Sequence, residues 1–112
     1  MIQEEATYDL TIKQGMDFSF SFTMKDENGD PQDLTGILFR AQLREFAEAA
    51  AAIDFVCQHN NQGGLVTLTM PHAKTAAIRF QKGVYDVVQY NTDGTKDPVL
   101  SGSVKILPSV TR

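Results

Sequence analysis

The stretch "DFSFSFTMK" (17–25) constrains the fold more than any other part of the chain. Phe18, Phe20, Phe22 and Met24 fall on one side of an extended strand, with Ser19, Ser21, Thr23 and Lys25 on the other. Side chains of a strand alternate between its two faces. A period of two kept over eight residues therefore marks a strand with one face in a core and one in water. A helix, turning every 3.6 residues, would scatter the three phenylalanines around its circumference.

The pattern recurs along the whole chain. "YDLTIK" (8–13) aligns Tyr8, Leu10 and Ile12, and "ILFRAQLR" (37–44) aligns Ile37, Phe39, Ala41 and Leu43. "LVTLTM" (65–70) aligns Val66, Leu68 and Met70, and "VLSGSVKIL" (99–107) aligns Leu100, Val104 and Ile106. "VYDVVQY" (84–90) is rich in β-formers, although Asp86 leaves its inward face open. "AIDFVCQ" (52–58) is a seventh, weaker strand with Ile53, Phe55 and Cys57 in phase. Glycine-bearing turns separate the runs, and Asn28-Gly29 and Asp93-Gly94 are the strongest hairpin signals. Two segments depart from the strand habit. "EFAEAAAA" (45–52) suits a short helix or turn, and "PHAKTAAI" (71–78) places a proline where a helix begins. The expectation is one all-β domain, a β-sandwich or jelly-roll-like barrel of about seven antiparallel strands with one or two short helical turns. It spans residues 8–112, after a flexible N-terminal arm at 1–7. Within this core Phe20→Ser is expected to cost about 3–5 kcal/mol, as for a large buried aromatic.

A chain of 112 residues suits a single domain. Its 10 basic and 14 acidic residues give a net charge of −4, with the bases scattered singly, which argues against nucleic acid as a partner. Residues 1–33 hold eight acids against two bases, a local balance of −6. That asymmetry suits a solvated acidic face or head-to-tail contact between copies. The single cysteine, Cys57, excludes an internal disulfide. "MIQEEATYDL" lacks the basic and apolar regions of a signal peptide, and no apolar run reaches the roughly 20 residues of a membrane span. A soluble product, without a membrane partner, is the expectation.

Site chemistry is sparse. In "KDENGDPQDLTG" (25–36), Asp26, Asn28 and Asp30 stand at alternate positions, as at the start of a calcium loop. An EF-hand loop counted from Asp26 needs Gly at its sixth place and Glu at its twelfth, and finds Pro31 and Ile37. The segment reads as a polar hairpin turn. Cys57 and His59 point to one side of a strand and are the best case for a nucleophile and base. Yet Cys57 continues the apolar face of Ile53 and Phe55, and His59 leads into a surface turn. His72 has no second ligand at zinc spacing, and no glycine pattern forms a phosphate cradle. No enzyme activity, cofactor or metal is expected.

The elements "YDLTIKQG", "FSFSFTMKD", "ENGDP" and "DLTGILFRAQLRE" resemble a type of small virion protein of tailed phages. "LTMPHAKTAAI", "KGVYDV" and "LSGSVKILPSVTR" match its second half in outline. The resemblance implies a decoration, or staple, protein that clamps the capsid shell of short-tailed phages by binding the major capsid protein. It would act as a homo-oligomer on the capsid surface of the virion, after synthesis in the host cytoplasm. Because related sandwiches occur in tail attachments, a tail, neck or baseplate module is the alternative; the lack of a fibre-like repeat favours the capsid. Under this reading the leading segment is the natural arm, with Ile2, Glu4 and Glu5 as partner contacts.

Overall fold

The computed structural model describes residues 6–111 as two packed β-sheets and one short helix. The larger sheet begins with β1 (Ala6–Thr7) and β2 (Leu10–Lys13), both of which run parallel to the last strand, β9 (Lys96–Leu107). Beyond β9 lie β8 (Lys82–Tyr90), β4 (Leu38–Arg44) and the two-residue β5 (Ile53–Asp54). The smaller sheet has the order β3 (Phe18–Thr23), β7 (Leu65–Met70) and β6 (Val56–His59). The all-β sandwich expected from alternation is therefore present. It differs from the expectation in two ways. The N- and C-terminal strands pair in parallel, and the strands among the described residues number nine rather than about seven.

The extra strands have local causes. β1 falls inside the segment 1–7 assigned to an arm: Ala6 and Thr7 pair with Leu100 and Ser101. The run 52–58 is not one strand. Ile53 pairs with Leu43 in the larger sheet, while Cys57 pairs with Leu68 in the smaller. Between them Phe55 is buried and donates its N–H to the Ala41 carbonyl at 3.0 Å, so the chain changes sheets there and closes one side of the sandwich.

Each alternating run sends its apolar set inward. Leu10, Ile12, Phe39, Ala41, Leu43, Val66, Leu68, Met70, Val104 and Ile106 are buried in one core. The face of β8 that Asp86 left open is settled by Tyr85, Val87 and Gln89, which point in, while Asp86 points out. In β9 the adjacent residues Val99 and Leu100 are both buried, because a bulge opposite Val87 and Val88 shifts the register there.

Between β1 and β2 the chain crosses Gly102 at close range. Tyr8 donates its N–H to the Ser101 carbonyl at 2.8 Å, and the Asp9 carboxylate accepts the Ser103 N–H at 3.0 Å. The Tyr85 hydroxyl donates to the Tyr8 carbonyl at 2.5 Å. A Cβ at Gly102 would collide with that carbonyl, so only glycine fits.

The helix α1 (His72–Ala76) starts after Pro71, as the sequence suggests. Thr75 anchors it, donating its hydroxyl to the Met16 carbonyl at 2.8 Å and accepting the Gly15 N–H at 3.0 Å. The alanine-rich segment 45–52 is a turn rather than a helix, held by the Ala49 N–H on the Phe46 carbonyl at 2.9 Å.

Candidate functional site

The calcium-like loop is a turn. The Asp26 carboxylate accepts the N–H groups of Asn28 and Asp30 at 2.9 and 3.0 Å, and so caps its own backbone. Gly29 takes the positive φ of 83° that the reversal needs. The loop is nevertheless not a hairpin between neighbours: β3 and β4 lie in different sheets, and the bridge of Lys25 with Pro31 closes it locally. Among the described residues no three His, Cys, Asp or Glu side chains are grouped to hold a metal ion.

Cys57 and His59 do share the inner face of β6. Burial pushes the Cys57 thiol above its usual pKa, which keeps it protonated and a poor nucleophile. His59 is not the surface residue that its turn position suggests. It is half-buried, its Nε2 lies 2.6 Å from the Ile37 carbonyl, and its ring meets Phe39 edge-on. With Nε2 carrying the proton on that carbonyl, the ring is a structural strut between β6 and the start of β4. Both positions are taken up by packing.

A second group lies at the helix. Asp17 accepts the backbone N–H of His72 at 2.7 Å and stands 3.0 Å from its Nδ1. The backbone bond, and after it the ring, hold the Asp17 carboxyl below the usual carboxylate range. Both side chains are largely exposed, beside a cleft of about 680 Å³ that also borders Gln14, Arg79 and Ser109. The Ser109 hydroxyl is directed to the Thr111 carbonyl at 2.6 Å, away from an imidazole-activated arrangement.

The outer faces of the two sheets differ sharply. The larger sheet presents Arg40, Arg44, Lys82, Asp86 and Lys105. Among the described residues the smaller sheet presents Ser19, Ser21 and Thr23 beside Thr67, Thr69 and Gln58, with Leu65 and Val56 at its margins and no charged side chain. Ser21 and Thr67 link their hydroxyls across the strands at 2.9 Å.

The smaller sheet also ends in an open edge. Among the described residues β3 pairs with β7 and with no strand on its other side. A groove of about 540 Å³ runs along it, between β3 and the inner face of β1 and β9. Tyr8 stacks on Phe20 across that groove at 5.0 Å, and Phe22, Met24, Val99 and Leu100 form its floor and walls.

Ile2, Glu4 and Glu5, the contacts expected from the sequence, lie outside the described residues. The open edge was not singled out from the sequence, although a signal exists. "FSFSFT" carries no charge, no proline and no glycine, the devices that usually guard an edge strand. No family model and no curated relative matches the chain.

Proposed function

We propose that this protein is a structural component of a tailed-phage particle, a β-sandwich that decorates the head and stabilises the joints between major capsid protein subunits. The observation that supports this reading is the uncharged hydroxyl face of the smaller sheet. Ser and Thr side chains lose little rotamer freedom on burial and carry no charge to desolvate, so a flat face of them suits protein contact.

That face cannot act alone. Three strands about 4.8 Å apart and about 20 Å long make a surface on the order of 300 Å², against roughly 800 Å² per partner in a standard interface. The remaining contact has to come from the adjoining edge and loops. The test is the place and number of the copies in purified particles of the encoding phage. Copies in the hundreds, arrayed over the shell, are expected. A few to a dozen copies confined to the tail, neck or baseplate would overturn the capsid reading in favour of a tail module.

A further inference from the structure

We propose that the open edge of β3 and its groove accept one extended segment of a partner protein, which adds a strand to the smaller sheet. This names the surface through which the binding role proposed above is exercised, and it rests on that reading.

Register fixes which backbone groups are available. The Met24 N–H bonds the Gly64 carbonyl at 2.7 Å, continuing the ladder that pairs Phe22 with Val66 and Phe20 with Leu68. In an antiparallel pair, hydrogen-bonded and non-bonded positions alternate. Phe18, Phe20 and Phe22 therefore bond to β7, and the N–H and C=O groups of Ser19, Ser21 and Thr23 point to the open side. An incoming strand meets a ready ladder there.

The shape selects a single strand. Among the described residues the larger sheet is five strand positions wide and the smaller three, and the groove lies beside β3 against the inner face of β1 and β9. A second copy is a poor fit. The two-fold axis that pairs two β3 edges stands perpendicular to the sheet, so both larger sheets would fall on the same side and compete for the same space. A lone segment has no such burden.

The lining then states the segment's chemistry. Alternate side chains would enter among Tyr8, Phe20, Phe22 and Leu100 and must be apolar, while those between extend the hydroxyl face and should be small and polar. Lys25 is the one charged residue lining the groove among the described residues, so an acidic residue at that end of the segment complements it.

The test is selection of random octapeptides displayed on the immobilised full chain. Enriched peptides should alternate apolar and small polar residues and carry an acid at one end. Their affinity should fall at least tenfold on Ser21→Pro, which removes an outward N–H but leaves the β7 ladder intact. On Lys25→Glu, an exposed change that spares the fold, peptides with the acidic end should weaken about tenfold. Amide exchange at Ser19, Ser21 and Thr23 should slow on binding. No enrichment, or equal binding to both variants, overturns the proposal. Self-association that Ser21→Pro abolishes overturns it in favour of a second copy. Binding that appears only after removal of residues 1–5 overturns it in favour of the chain's own N-terminus. Peptide binding that holds while the protein is absent from capsids would sink the decoration role and leave this site standing.

Discussion

β3 and β7 carry the same alternation of apolar and hydroxyl residues, lie side by side in register, and meet different fates. Val66, Leu68 and Met70 of β7 are fully buried, while Phe18, Phe20 and Phe22 of β3 are only half-buried. Among the described residues β7 has a strand on each side and β3 on one. The lesson is that a period of two determines which face turns inward, whereas depth is set by what stands on the flanks.

Proline placed in each strand tests that contrast most severely. Thr67→Pro, in the central strand, forfeits a ladder hydrogen bond and should cost about 3 kcal/mol or more. At that cost the variant should show no cooperative melt near the parent midpoint. Ser21→Pro at the open edge should melt within a few degrees of the parent. Similar losses in the two would mean that the outer edge of β3 is occupied.

Truncation of a facing pair comes next. Leu68→Ala should cost about 3 kcal/mol and Phe20→Ala about half of that, because its ring is already partly in water. This lowers the cost foreseen for Phe20 as a fully buried aromatic. Denaturant midpoints at constant slope measure both, and equal losses would show that the groove is shut in solution.

Alkaline pH probes the larger sheet. Burial pushes the Tyr85 hydroxyl up to about 12, while in the unfolded chain it titrates near 10. The raised value means that its stabilising effect is complete below pH 10 and is lost as pH climbs from 10 to 12. Tyr85→Phe should melt with a shallower alkaline decline than the parent, and an unchanged decline would discount the burial of its hydroxyl.

The smallest effect lies at the helix. Asp17 is lowered from 3.8 by the His72 N–H and ring, so its contribution is present above that value and fades as pH falls below it. Asp17→Asn should lose less melting temperature than the parent between pH 5 and pH 3. An identical acid profile in the two proteins would set the Asp17 contact aside.

Much of this architecture is written in short runs of sequence. The inward sets of β2, β4, β7 and β9, the reversals at Gly29 and Gly94, and the helix after Pro71 each follow from chemistry within a few residues. The division at Phe55 does not. Ile53, Phe55 and Cys57 stay in phase throughout, and nothing in the run marks where one sheet is left for the other. Parallel pairing of β2 with β9 joins Leu10 to Val104, and local pattern carries no information across that distance. The candidate site was half legible: "FSFSFT" shows its unguarded composition, but its place at an edge depends on strands far away in the chain. His59 was misjudged because a position before an Asn/Gly turn says nothing about a carbonyl 22 residues earlier.

The position of β9 bears on how the protein comes into being. β9 is the rail on which both β1 and β2 lie, with β8 along its other side. A nascent chain would have to release residues through Leu107 before its first strands found their neighbours. Until then Leu10 and Ile12 would wait uncovered beside a ribosome, a natural client for chaperones. Closure of that span, from Leu10 to Val104, is the kind of long-range step that slows folding.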